Sequence, residues 1–327
     1  MAFGLNQPTT MTNMLSRTAD SLFWLNRYME RTDSLQRLLY VHYILSLDKG
    51  TNAPQSWRPV LEMATSLNTA DIEGLEYNMA ASLKKIISDT ENVNSLKVIV
   101  HRARENARGV QDYITKETWE EVNQTYHYIN HPELSARLSG NEALQVIEDL
   151  ERHAVLYAGM IELTMPRGMG WNFMCLGKFI ERCFHTVHLL QNQLKLIDYN
   201  IDQPVDILQW RYLLLSLSGY EMHLKTYTGG PYSQNLLHQV IWNENFPRSV
   251  LYSLSRIRIY LKKVMGASDD SREGKAMINT LGRLYSSIKY KEPDSLTEQS
   301  VQPFLEEISR ELSGFSTLLA QHFFSYH

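Results

Sequence analysis

The chain has little cysteine, no long apolar run, no surplus of basic charge and almost no strand-like alternation, and each shortage closes off a class of protein. Two cysteines in 327 residues cannot staple a disulfide scaffold. Cys175 and Cys183 fall in one helical pattern, where a rise of ~1.5 Å per residue puts them about 12 Å apart, beyond disulfide reach. They read as buried thiols of a reducing compartment. No window approaches the length of uninterrupted apolar sequence a membrane span needs, and no basic segment followed by an apolar run opens the chain, so the expectation is a soluble cytoplasmic protein. Lys and Arg total 32 against 36 Asp and Glu, for a formal charge of -4. That balance lacks the global basic field of a nucleic-acid or anionic-membrane binder. Any basic site must be local.

Several chemistries are missing as well. The Glu-x-x-His spacing of di-iron bundles occurs nowhere, so His185 and His188 beside Glu181 give no metal site. Gly229-Gly230-Pro231 follows no strand and is a turn rather than a phosphate loop. No Ser/His/Asp or Cys/His arrangement is visible. The expectation is no metal and no cofactor.

What is there is helical period, almost throughout, with 43% hydrophobic residues to build a core. The fold class is all-α. Residues 1–13 are polar and turn-rich and read as a loose arm, with the first helix starting near Ser16 or Thr18. Turn signals fall at 50–59, 68–71, 89–94, 130–141, 165–170, 202–204, 228–231, 243–247, 266–274 and 291–297, leaving roughly ten helical stretches.

Sliding the chain against itself reveals an internal repeat. Leu25-Asn-Arg-Tyr-Met-Glu30-Arg31 with Leu38-Leu39 matches Leu176-Gly-Lys-Phe-Ile-Glu181-Arg182 with Leu189-Leu190 at an offset of 151. Trp57-Arg58 meets Trp210-Arg211 at 153, and Ser95-Leu96 with Arg102 and Arg104 meets Ser249-Val250 with Arg256 and Arg258 at 154. Three matches in one order point to a helical bundle of two pseudo-symmetric halves, 14–165 and 166–327, packed through their Glu-Arg helices.

Those two helices carry the functional argument. Around Arg27, Glu30 and Arg31 the apolar residues surround the helix instead of forming one stripe, which marks burial on most sides. The stretch Phe173–Phe184, with Lys178, Glu181 and Arg182, repeats the order of cation, glutamate and arginine. An unpaired charge in such surroundings costs on the order of several kcal/mol, so these groups must pair with each other, water or a ligand. Arg27 and Arg31, one turn apart, repel, and something anionic should lie between them.

A third group, Arg102-Ala-Arg104-Glu105-Asn106-Ala-Arg108, offers forked donors suited to carboxylates or phosphates. The second half has Ile259 where Glu105 would recur, so the halves are not equivalent. Arg27, Arg31, Arg102, Arg104, Arg108, Glu30 and Glu105 are expected to converge on one partly buried centre. Each motif taken singly is more often a structural ion pair than a ligand contact. Trp57, Trp119, Trp210, Tyr28 and Phe179 belong to core packing.

At these residues the chain resembles the bacterial alpha-E domain family. The resemblance runs through Met14–Arg31, through Arg104-Glu105-Asn106-Ala-Arg108 with Trp119-Glu120 and Asn123, and resumes at Phe173, Leu176-Gly177-Lys178 and Glu181-Arg182. It continues at Trp210, Tyr220-Glu221 and Phe246-Pro-Arg248-Ser-Val250. Lys178 stands where an arginine is usual, and Cys183-Phe184 replaces a small-acidic pair. The resemblance implies a helical accessory or substrate-handling subunit working with a circularly permuted ATP-grasp amidoligase, often beside a transglutaminase-like protease, on a peptide substrate. The candidate ligand-binding residues are Arg27, Arg31, Arg102, Arg104, Asn106, Arg108, Lys178, Arg182 and Arg248, whose centre would hold a carboxylate, phosphate or peptide end. The alternatives are a stand-alone enzyme using Glu30, Glu105 or Glu181 as acid or base, and a scaffold whose charges fix helix register.

Overall fold

The computed structural model describes residues 14–48, 55–201, 207–265 and 271–324. The expected arm at 1–13 lies outside them. The described residues form fifteen α-helices and no strand. In the first part of the chain these are α1 (Ser16–Asp48), α2 (Arg58–Ala64), α3 (Thr69–Leu75), α4 (Met79–Ile87), α5 (Leu96–Gly109), α6 (Lys116–Ile129), α7 (Leu134–Arg137) and α8 (Ala143–Thr164). In the second they are α9 (Met169–Lys195), α10 (Ile207–Ser216), α11 (Tyr220–Thr226), α12 (Tyr232–Leu237), α13 (Val250–Met265), α14 (Arg272–Lys289) and α15 (Glu298–Phe323).

The sequence pattern underestimates the number of helices because some breaks carry no proline. Asn78 caps α4 by accepting from the Ala81 N–H, and Thr115 caps α6 by accepting from the Thr118 N–H, so each cuts a stretch that reads as continuous. Between α10 and α11 the chain turns at Ser218, which takes a left-handed φ of 53°. Elsewhere the local signals act as expected. Ser95 caps α5 through the Val98 N–H, and at the matching place in the repeat the Ser249 hydroxyl accepts from the Tyr252 N–H at the start of α13.

Helix α1 lies along α9, and this pair is the spine of the molecule. Leu22, Leu25, Met29, Leu38 and Leu39 of α1 are buried together with Leu176, Ile180, Cys183, Val187 and Leu190 of α9. Each such side chain taken from water contributes roughly 1.5–3 kcal/mol. Around the spine one packing order occurs twice. Helix α1 neighbours α5, α5 neighbours α6, α6 neighbours α8, and α8 returns to α1. Helices α9, α13, α14 and α15 close a second ring in the same sequence. Trp57 and Trp210 are both almost fully buried, as core residues should be.

The spine is tightly packed at Gly177, where an added Cβ would stand 2.2 Å from the Phe23 carbonyl oxygen. Across the repeat, Asn26 matches Gly177 and Phe23 matches Met174. The contact is reciprocated: the Asn26 amide donates to the Met174 carbonyl oxygen at 2.8 Å, and the Tyr157 hydroxyl donates to the Asn26 side-chain oxygen at 3.0 Å.

Candidate functional site

The α1–α9 crossing holds two charge clamps, each built by both helices. In the first, Glu181 of α9 reaches between Arg27 and Arg31 of α1. Arg27 Nε donates to Oε2 at 2.8 Å and Arg31 Nε to Oε1 at 2.5 Å. The anion expected between the two arginines is therefore a side chain of the other half. In the second clamp the roles reverse: Arg182 of α9 holds Glu30 of α1 bidentately, Nε to Oε1 at 2.7 Å and Nη2 to Oε2 at 2.9 Å. Arg248, in the turn before α13, adds an Nη1 contact to Glu30 Oε1 at 3.4 Å and donates from Nη2 to Asp33 Oδ2 at 2.7 Å. Asp33 is also bound by Arg37 one turn along α1. The Thr186 hydroxyl donates to the Arg248 carbonyl at 2.9 Å and so ties that turn to α9.

Both glutamates are deeply buried and both stay ionised. Burial pushes Glu181 up, but Arg27 and Arg31 outweigh it and bring the carboxyl down to about 2. Burial likewise opposes the charge on Glu30, and Arg182 with Arg248 holds it below the ordinary carboxylate range. Charge-assisted forks of this kind are the strong class of hydrogen bond. A carboxylate held below its ordinary range is a weak base, which argues against Glu181 and Glu30 as general bases. Arg27 also lies over the Trp24 ring, its guanidinium carbon 4.7 Å from the centroid.

Each clamp borders a cavity. On one side of the crossing a cavity of about 430 Å³ is lined by Arg27, Arg31, Glu181 and His185, with Asn94 at the start of the α5 region and an apolar wall including Leu35, Met63, Ile99 and Phe184. Among the described residues, Arg31 pairs through Nε, and its two Nη groups have no hydrogen-bonding partner. The buried Ser34 hydroxyl and His185 Nε2 are also without hydrogen-bond partners. Burial lowers the His185 ring to about 4, so it is neutral near pH 7. On the other side a smaller cavity of about 160 Å³ is lined by Asn26, Glu30, Asp33, Lys178, Arg182 and Arg248, with alanines of α8. The two cavities correspond under the repeat: Arg31 with Arg182, Glu181 with Glu30, Arg27 with Lys178, and Asn94 with Arg248.

The strip on α5 does not join this centre. Helix α5 buries Leu96, Ile99, Val100, Ala103 and Ala107, which turns Arg102 and Arg108 outward to solvent. Arg104 instead packs toward α6, its guanidinium carbon 4.4 Å from the Tyr126 ring centroid and its Nε donating to Asn123 Oδ1 at 2.7 Å. Glu105 bridges Arg104 and Arg108 at 3.5 Å each, and the Asn106 amide donates to the Arg102 carbonyl. The expected convergence of both arginine groups is thus corrected. The apolar stripe of α5 is narrow, and its charges sit outside it and compensate one another. Asp33, Arg37, Ser34 and Asn94 belong to the real centre. Asp33 and Arg37 were legible as an i,i+4 pair on the Glu30 helix, and Asn94 as the match of Arg248.

Among the described residues no cluster of three or more His, Cys, Asp or Glu is placed to hold a metal ion, and no helix is long and apolar enough to cross a membrane. Both cysteines are free and buried, with burial pushing the Cys175 thiol up to about 11 and Cys183 to about 12.

No solved structure matches the chain. An uncharacterised protein of Mycobacterium bovis is 26% identical over 322 residues, which is 93% of this chain and 35% of the relative. An uncharacterised protein of Mycobacterium tuberculosis is 25% identical over the same shares. The chain therefore spans about a third of the length of these curated relatives. A family model described as a predicted alpha-helical domain with a conserved ER motif matches residues 14–324, and two Glu-Arg steps, Glu30-Arg31 and Glu181-Arg182, occupy the helix crossing, so the chain belongs to the Alpha-E family.

Proposed function

We propose that this protein is a carboxylate-handling helical subunit of a peptide-modifying system built around an ATP-grasp amidoligase. The observation that carries the reading is the larger cavity, where Arg31, with no hydrogen bond from its Nη groups among the described residues, lines a space of about 430 Å³ with an apolar wall. A guanidinium whose fork is unspent recognises a carboxylate bidentately. The apolar wall accepts the side chain that such a carboxylate carries. An amidoligase consumes carboxylates, so a subunit that presents a peptide terminus suits its chemistry. In the mycobacterial relatives the matched region is only 35% of the protein, which leaves ample chain for a second, catalytic part. A transglutaminase-like protease acting on the same peptide is a further partner in this reading. The low-held carboxylates argue against independent acid-base catalysis.

The test is binding of short peptides, measured by calorimetry, followed by co-expression with an ATP-grasp amidoligase. Peptides with a free C-terminal carboxylate should bind, their amidated forms at least tenfold more weakly, and Arg31→Gln should abolish the difference. Ligation should need the helical subunit. Equal binding of free and amidated peptides, together with full ligation in its absence, favours the scaffold reading, in which the reciprocal clamps serve only to lock α1 on α9.

We also propose that residues 14–165 and 166–327 derive from one ancestral helical unit. The repeated packing order and the exchanged Glu–Arg pairs support it.

A further inference from the structure

The smaller cavity between α1, α8 and α9 has an excess of positive charge that the protein itself does not neutralise. Its carboxylates are Glu30 and Asp33. Facing them are Arg182, Arg248 and Lys178 on the lining, with Arg37 bound to Asp33 from behind. Four cations against two carboxylates leave two positive charges uncompensated. The arginines account for every ion pair that Glu30 and Asp33 make among the described residues, and Lys178 has neither an ion pair nor a hydrogen bond there. Lys178, half-buried, therefore lines this recess with three N–H donors unspent.

An unpaired buried cation is costly, and a matching anion removes the cost. The surroundings register that cost: burial and Arg182 lower Lys178, and burial and Arg37 lower Arg248, each below its ordinary value. A recess of about 160 Å³ suits one compact oxyanion better than a peptide.

We propose that this cavity is a binding site for a single phosphate group, held by Lys178 with Arg182 and Arg248. The two uncompensated charges match a dianion better than a monovalent carboxylate. A compact ammonium beside forked guanidiniums is a donor set suited to a tetrahedral oxyanion. The equivalent place in the larger cavity has Asn94 where Arg248 stands here, and its two arginines against Glu181 leave one positive charge rather than two. The two cavities are therefore specialised, the larger for an organic carboxylate and the smaller for phosphate. This assignment stands without the amidoligase reading, because it rests on charge count and size alone.

The experiment is titration of the full chain with inorganic phosphate, sulfate, acetate and phosphoserine at physiological ionic strength, by calorimetry and by the shift in melting temperature. Phosphate and sulfate should bind one per chain and raise the melting temperature, and acetate should bind at least tenfold more weakly. Tighter binding of inorganic phosphate than of phosphoserine assigns the free ion, and the reverse assigns a phosphorylated ligand with its ester outside. Lys178→Gln should weaken phosphate binding at least tenfold without lowering the melting temperature of the unliganded chain, and Lys178→Arg should retain binding. Arg108→Ala, which removes an exposed cation elsewhere, controls for unspecific attraction and should bind phosphate as the native chain does. Absence of binding at tens of millimolar phosphate, unchanged binding by Lys178→Gln, or acetate binding as tightly as phosphate overturns the proposal.

Discussion

Gly177 lies over the carbonyl oxygen of Phe23 so closely that a Cβ would stand 2.2 Å from it. The obstacle is backbone, which cannot swing aside as a side chain can. Gly177→Ala should therefore push α9 off α1, although alanine is favoured in a helix interior by about 1 kcal/mol. Overpacking costs typically about 1–3 kcal/mol, and here it also stretches both charge clamps. The net result expected is a lower melting temperature and a lower urea midpoint than the native chain. A variant as stable as the native chain would mean that the helices do not meet at this point.

Glu30 neutralises Arg182 and part of Arg248, so its removal leaves buried cations without a partner. Glu30→Ala should cost about 3–5 kcal/mol, the range for breaking one side of a buried pair. The double change Glu30→Ala with Arg182→Ala should cost less than the sum of the single changes, because it removes both members of the bidentate contact. Urea unfolding of the four chains of that cycle measures the coupling directly. Additivity within about 0.5 kcal/mol is what independent sites give, and it contradicts the pairing.

The crossing was legible because its residues break a rule. Glu30, Arg31, Glu181 and Arg182 sit in sequence too apolar for solvent, and their recurrence in the same order pointed to helices that face each other. The partner exchange, with Arg31 on Glu181 and Arg182 on Glu30, was not legible, since sequence periodicity gives the face of a helix and not its register on a neighbour. The α5 strip misled for the opposite reason. Arg102 and Arg108 are as arginine-rich in context as the crossing, but they follow an apolar stripe of Leu96, Ile99, Val100, Ala103 and Ala107 that leaves them outside. Counting the apolar residues on every side of each arginine separates the two cases. The contribution of Arg248 depends on a turn between helices, where no period exists to read.

The same contrast predicts unequal consequences for two arginines on one helix. Arg108 is exposed and shares Glu105 only at 3.5 Å, so Arg108→Ala should change stability by no more than about 0.5 kcal/mol. Arg104 contacts the Tyr126 face and donates to Asn123, both at the α5–α6 interface. Arg104→Ala should cost about 1–2 kcal/mol, mainly from the hydrogen bond to Asn123 and the cation–π contact with Tyr126. Thermal melts compare them. Equal losses would place Arg108 in an interface that the structure does not give it.

The last prediction concerns pH and centres on His185. Burial lowers its ring from 6.5 to about 4, so the folded chain refuses a proton that the unfolded chain accepts between those values. Above pH 6.5 neither state is protonated and the residue contributes no pH dependence. As the pH falls from 6.5 toward 4 the unfolded state gains a proton and the fold does not, so stability declines. The slope for one such proton approaches about 1.4 kcal/mol per pH unit. Below pH 4 the folded ring is protonated too and this limb ends. His188 and His223 are lowered in the same direction and steepen the native curve. Glu181 acts in a separate, more acidic window: its stabilising effect is full above 4.5 and is lost as the pH falls toward about 2. His185→Asn should therefore flatten the limb between pH 6.5 and 4 by up to one proton and leave the more acidic limb to which Glu181, Glu30 and Asp33 contribute. Urea unfolding at half-unit pH steps separates the two windows. A variant whose slope between pH 6.5 and 4 equals that of the native chain would show that the His185 ring takes up its proton in the folded protein as readily as in the unfolded one.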